Sequence, residues 1–270
     1  LLYFETAKES ESVNLLLTWF FLKLGISRDQ EITNTVFGLR KILLEKCIRK
    51  WGWDKEKIFE IGGFKTWPYD RIVQLSQTIE RYMVKKYKIV NKAFESLYQG
   101  KSRISPEDRT VLGRKVIIEF SRQEGKVQKI LLVSRSDQHF RGLHLKYVNP
   151  GQKVGKWELI NKSSKTLHHD EELLIKAKTI EEIGAWMVNN RLYHESTVIN
   201  LVPNPTYVTF DDIRKLYQAL NEFFSPLLTQ VVNFDQLLKP SYVTSLFISI
   251  NFYAPRQQHE VSEYTAIYLN

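Results

Sequence analysis

The sequence predicts an α+β fold: an N-terminal helical region over residues 1–104, then an α+β domain over 105–270 that opens with a capped helix and carries a largely antiparallel sheet with segregated helices. Three observations predict it. Apolar residues recur at helical spacing through about Ser121; after Gly125 the period falls from 3.6 to 2; and the later helices are few and set apart from the strand-like runs.

The first helix spans about Glu11 to Leu24, with Val13, Leu16, Leu17, Phe20, Phe21 and Leu24 at helical spacing and Gly25 as its stop. Ser27-Arg28-Asp29-Gln30 reads as a capping box for a second helix reaching about Lys50. Its predicted apolar stripe is Ile32, Val36, Leu39, Ile42, Leu43 and Cys47. Trp51-Gly52-Trp53-Asp54 ends that helix, and Gly62 to Pro68 is rich in turn residues. Trp51, Trp53 and Trp67 read as an anchor between helices, with an aromatic base-stacking platform as the rival. From Asp70 to Gln99 one helix of roughly 45 Å is predicted. It buries Ile72, Leu75, Ile79, Tyr82, Met83, Val90, Phe94 and Leu97, and sets Arg81, Lys85, Lys88 and Lys92 in a basic stripe on another face.

Ser105-Pro106-Glu107-Asp108 caps the next helix: a serine at the cap, proline where its missing amide is harmless, and aspartate at the positive helix end. That helix should run to about Ser121 and bury Val111, Leu112, Ile117, Ile118 and Phe120. Arg114 and Lys115 have no structural reason in this reading and are candidate partner contacts. Val127–Ser134, Gly142–Val148, Lys156–Asn161 and Glu171–Ala177 then read as strands. Thr179 to Glu182 caps a helix to about Arg191, Val198–Val202 is a strand, and Thr209 to Asp212 caps a helix ending near Phe224. Ser241–Tyr253 and Glu263–Leu269 are the last strands.

Composition narrows the classes of function. With 43% hydrophobic and 26% charged residues the chain is ordinary for a globular protein. The apolar run Leu15 to Leu24 is too short to span a membrane, and Leu1 to Phe4 is not a signal peptide. The absence of an initiator Met suggests an internal cut from a longer protein. A lone Cys47 excludes an intrachain disulfide or a multi-cysteine zinc site, and fits a reducing, cytoplasmic setting. Net charge is +9, concentrated in the helical region: 19 Lys/Arg against 12 Asp/Glu up to Ile104, then 20 against 18. Such a bias permits an acidic protein, nucleic acid or membrane surface as partner without choosing among them.

Catalytic motifs fail on inspection. Gly151 to Trp157 has its glycines too close for a phosphate-binding loop, and Trp157 stands where Ser or Thr would hold magnesium. His168-His169-Asp170 lies in an extended segment, where neighbours point to opposite faces and rarely share one ion. His139, His144, His194 and His259 show no ligand spacing. Asp211-Asp212 is explained by helix N-terminal charge. Cys47 has no activating base nearby in sequence.

The order Ser105-Pro106-x-Asp108-x-x-Val111-Leu112-x-Arg114-Lys115 resembles a segment of the class I adenylate cyclases of Gram-negative bacteria. Trp51-Gly52-Trp53-Asp54 with Trp67 downstream, Gly155-Lys156-Trp157-Glu158-Leu159-Ile160-Asn161, and Ala185-Trp186 through Asn190-Arg191-Leu192 are similar to further family motifs in the same order. Arg191 stands where the family usually has Gly. The resemblance implies a parent enzyme, a lyase that makes 3′,5′-cyclic AMP and pyrophosphate from ATP with a divalent metal such as magnesium. In that family the catalytic module is N-terminal, marked by a Gly-Ser turn and an Asp-x-Asp pair, and neither occurs in these 270 residues. The resemblance therefore implies a non-catalytic, structural or regulatory region with no cofactor of its own. Its implied partners are its own catalytic module and an acidic regulatory protein such as a phosphotransferase-system IIA component. The alternative is a protein- or nucleic-acid-binding module that uses the basic stripe.

Overall fold

The structure is a computed structural model and describes residues 10–24, 35–64, 67–97, 104–121, 142–148, 156–161, 172–194, 196–229, 233–240 and 242–269. The Ser27 to Gln30 box, the Val127–Ser134 strand, the Gly151 loop and the His168-His169-Asp170 run lie outside the described residues. The described residues fall into two compact units, one ending at Ser121 and one starting at Gly142. The helix capped by Ser105 belongs to the first.

The first unit is helical: α1 (Ser10–Leu24), α2 (Thr35–Trp51), α3 (Lys55–Gly62), α4 (Tyr69–Leu97) and α5 (Pro106–Phe120). Its core gathers Phe21 and Leu22 from α1, Leu44 from α2, Ile61 from α3, Phe64 and Trp67 from the α3–α4 connection, and Ile72 and Ile79 from α4. Each such side chain contributes about 1.5–3 kcal/mol by leaving water. Trp51 and Trp53 are half-buried against this core, with ring centroids 5.1 Å apart, and Phe21 lies 5.9 Å from Trp53. The three tryptophans thus act as the anchor and not as an open stacking platform.

Helix α3 was not legible as a helix. Asp54 caps it, accepting from the Lys57 amide at 2.7 Å, while Gly52 at φ +67° makes the sharp exit from α2 that only glycine adopts freely. In α2 the expected stripe is out of phase: Leu39, Ile42 and Leu43 are exposed and Leu44 is buried. Two adjacent leucines in Lys41-Ile42-Leu43-Leu44 left two phases open, and tertiary packing chose the second. Val90 of α4 is likewise exposed.

Helix α5 carries the predicted capping box. The Asp108 amide donates to Ser105 Oγ at 3.0 Å, and the Ser105 amide donates to Asp108 Oδ2 at 3.2 Å. The expected burial of Leu112, Ile117 and Ile118 is not seen, since all three are exposed; Val111, Gly113 and Val116 are buried instead. A Cβ on Gly113 would fall inside the Tyr87 phenol of α4, so the smallest residue sets the contact face and not the largest. Phe120 meets Trp19 edge to face at 5.5 Å.

The second unit contains β1 (Gly142–Val148), β2 (Lys156–Asn161), β3 (Glu172–Ala177), α6 (Ile180–Asn189), β4 (Val198–Leu201), α7 (Phe210–Thr229), α8 (Phe234–Leu238), β5 (Ser245–Ile250) and β6 (Tyr264–Leu269). A four-stranded sheet has the order β3-β2-β1-β4, antiparallel except for the parallel β1–β4 pair. Leu143, Leu145, Trp157, Leu159 and Ile199 are buried, and α6, buried over most of its length, packs on α7. In β3 the register shifts opposite Leu159/Ile160, leaving Leu174 as the extra residue, turned inward. Gly184 of α6 allows α7 to approach: a Cβ there would meet Tyr217 Cε1 at 2.5 Å.

Helix α6 ends in a Schellman motif, with the Leu192 amide donating to the Met187 carbonyl at 2.8 Å and the Arg191 amide to Val188 at 2.9 Å. Arg191 takes φ +54° at its turning point. Helix α7 runs past the predicted end at Phe224 to Thr229, taking in Pro226. The predicted strand Ser241–Tyr253 is confined to Ser245–Ile250, because Asn251 adopts φ +52° and turns the chain. Strands β5 and β6 form a separate antiparallel pair.

Candidate functional site

Helix α4 supplies the one concentrated charge feature anticipated from the sequence. Residues 81–92 contain five basic residues and no acidic one. Arg81, Lys85, Lys88 and Lys92 are all exposed. At 100° per residue they fall within about 60° of one another around the helix, over roughly 16 Å of its length. The Arg81 Nε–H donates to the Gln77 carbonyl at 3.2 Å, within its own helix. Among the described residues no carboxylate pairs with Lys85, Lys88 or Lys92. Residues three and four apart on one helix face have Cβ atoms about 5–6 Å apart, within the Debye length of about 8 Å at physiological ionic strength, so the fields of such neighbours add.

The polar contacts that secure this face come from residues the sequence reading did not single out. The Arg109 guanidinium of α5 donates to Asn91 Oδ1 at 3.0 Å and lies 3.5 Å from Glu95 Oε1. Asn91 Nδ2 in turn donates to Glu95 at 2.8 Å. Together with the Gly113–Tyr87 approach, these contacts run α5 antiparallel along α4, with Gly113 level with Tyr87. Lys115 is exposed; Arg114 is half-buried and engaged in contacts. The i, i+4 pair Asn91/Glu95 was the sequence signal available for this link.

At the other end of α4 the Arg71 guanidinium lies 3.9 Å over the Trp67 ring and pairs with Glu60, while Trp67 Nε1–H donates to the Glu60 carbonyl at 3.2 Å. That hydrogen-bonded ion pair with Arg71 holds the Glu60 carboxyl below its ordinary range, against a smaller opposing effect of burial.

Among the described residues no group of three or more His, Cys, Asp or Glu could hold a metal ion. His194 Nδ1 sits 2.7 Å from Ser196 Oγ, but the Ser196 amide also approaches that nitrogen at 3.2 Å, which makes the pair a turn lock. Cys47 is half-buried. Trp157, expected to be unable to hold magnesium, is a core side chain between Tyr147 and Tyr253. No helix among the described residues is long and apolar enough to cross a membrane.

Comparison with known families decides the relationship. Residues 2–131 match the second domain of class-I adenylate cyclase, and residues 143–227 match the third. The chain belongs to the class-I adenylate cyclases. It is 24% identical to the adenylate cyclase of Haemophilus influenzae over 212 residues, which are 77% of this chain and 25% of that protein. It is 24% identical to that of Escherichia coli K12 over 256 residues, 92% of this chain and 29% of that protein. The adenylate cyclase of Pasteurella multocida is 22% identical over 215 residues. The chain thus spans roughly a quarter of the length of these class-I cyclases. No solved structure matches it significantly. The first match covers the described residues of the first unit, and the second match lies within the second unit.

Proposed function

We propose that this chain is the non-catalytic, structural and regulatory part of a cytoplasmic class-I adenylate cyclase, and that the parent enzyme forms 3′,5′-cyclic AMP and pyrophosphate from ATP. The observation that carries the reading is the pair of matches to the second and third family domains. It is supported by the chemistry of the residues: the sequence holds no Gly-Ser turn and no Asp-x-Asp pair. The described carboxylates and imidazoles form no metal-ligating group. No catalytic step is therefore assigned to these residues, and ATP and magnesium belong to the module that precedes them in the family. The test is an assay of the purified 270-residue chain with ATP and magnesium. No cyclic AMP should form; measurable turnover would overturn the reading.

The partner contact this reading favours is the stripe Arg81, Lys85, Lys88 and Lys92, with Arg114 and Lys115 as further candidates. Exposed lysines that have no carboxylate partner among the described residues suit an acidic protein face, such as a phosphotransferase-system IIA component or the enzyme's own catalytic module.

A further inference from the structure

The β5–β6 pair presents an uncovered apolar face. Side chains alternate across a strand, and residues directly opposite share a face. The register pairs Leu246 with Tyr268, Ile248 with Ala266 and Ile250 with Tyr264. All six are exposed, and none is charged. Ile250 is 54% and Tyr264 73% exposed. The residues between them serve the opposite face: Phe247 lies 5.6 Å from Phe223 of α7, and Ile267 is buried. The inner face thus mixes Phe247, Ile267 and Leu269 with Ser245, Ser249 and Thr265, whereas the outer face, apolar and aromatic throughout, is the one left uncovered. A solvated antiparallel pair would alternate apolar with polar side chains. Here the apolar side chains are on the exposed side, and a contiguous exposed apolar face marks a contact surface.

We infer that this outer face is an interdomain contact: in the full-length protein it is covered by a segment of the same polypeptide lying outside residues 1–270, through an uncharged, apolar surface. The inference rests on the reading of this chain as one part of a longer cyclase. Two observations select a tethered segment over a second copy of the chain. The face measures about 20 Å by 10 Å, on the order of 200 Å², whereas a stable association of separate proteins buries about 800 Å² on each partner. A segment already joined to the hairpin acts at an effective concentration of about millimolar and needs far less area. Relatives that match this chain over 25% and 29% of their length have abundant polypeptide to provide that segment. The absence of charge on the face also separates it from the basic stripe of α4, whose chemistry is electrostatic.

The experiment uses the full-length protein. A photo-crosslinking benzoylphenylalanine replaces Tyr268, an exposed position where the larger ring needs no repacking, and in a second sample it replaces Tyr264. Irradiated products are sized and mapped by mass spectrometry. The expected product has monomer mass, with the crosslink joining the hairpin to a peptide outside residues 1–270. Crosslinks to a second copy, to another protein, only to peptides within 1–270, or none at all overturn the inference. Tyrosine labelling of the unsubstituted protein is a second readout. Tyr264 and Tyr268 should react at least about threefold more slowly than in the urea-unfolded protein, and a smaller difference overturns it. Neither readout depends on turnover, so cyclic AMP formation by the 270-residue chain would remove the reading of its function without bearing on what covers the hairpin.

Discussion

Tyr253 and Glu181, 72 residues apart, share one short hydrogen bond: the phenol donates to Glu181 Oε2 at 2.6 Å. The Tyr253 hydroxyl oxygen in turn accepts from the Ile180 amide at 2.6 Å, so a residue beyond β5 completes the start of α6. Glu181 is only 1% exposed. Burial, with the Glu181 carboxylate as the next cause, pushes the Tyr253 phenol well above the ordinary tyrosine range. Replacing it with Phe leaves a buried carboxylate and a helix-start amide without this partner. Tyr253→Phe should destabilise the second unit by about 2–3 kcal/mol. In a double-mutant cycle, Glu181→Leu should cost less in that background than alone, by about 1 kcal/mol or more, read from urea denaturation.

Arg191 offers the opposite sign. It holds a left-handed conformation at the end of α6, where a side chain costs roughly 1–2 kcal/mol, and glycine's greater entropy loss offsets about half of that. Arg191→Gly should stabilise the chain by about 0.5–1 kcal/mol. A rise in thermal midpoint checks it. This is also the position where the resemblance to the family expected glycine.

The Glu60 carboxyl, held low by Arg71, makes the first unit sensitive to acid. A carboxylate with a depressed folded value stabilises above the unfolded value and loses that contribution as pH falls through its folded one. Stability of the chain should drop as pH is lowered from about 4.3, the ordinary glutamate value, and Glu60→Gln should be less stable at neutral pH with a flatter acid limb. Denaturant midpoints measured from pH 6 down to pH 3 check both expectations.

Reversing three charges of the α4 stripe separates folding from binding. Lys85→Glu, Lys88→Glu and Lys92→Glu together should change stability by about 0.5 kcal/mol or less per site, since all three are exposed. Association with a purified acidic IIA protein should slow by about tenfold or more and lose much of its salt dependence. Stopped-flow binding at two salt concentrations measures this, and an unchanged rate removes the stripe as the contact.

The elements most legible in the sequence were those with local signatures. Ser105-Pro106-Glu107-Asp108 names its helix because each residue there acts on amides within one turn, and the same holds for Thr179 and Thr209. The long amphipathic α4 was visible for a similar reason, since its basic stripe repeats over many turns. Burial was harder to read where small residues set the contact. Gly113 and Gly184 carry no hydrophobic signal, yet they determine which faces of α5 and α6 meet their neighbours. The outer face of β5–β6 was hidden by success: Leu246, Ile248 and Ile250 read as ordinary strand residues, and only the register exposes them as a layer lacking its cover. Links such as Arg109 to Asn91 or Tyr253 to Glu181 join distant segments and leave no local pattern.

The parallel β1–β4 pairing also sets an order of assembly. Leu143 finds Asn161 across a short meander, but finds Ile199 only after β2, β3 and α6 have been laid down between them. Closing the longer loop costs more chain entropy, and non-local pairing slows folding. On a ribosome the meander can form while β4 is still being synthesised, so the edge that β4 occupies is the last part of this sheet to be closed and the first exposed to mispairing.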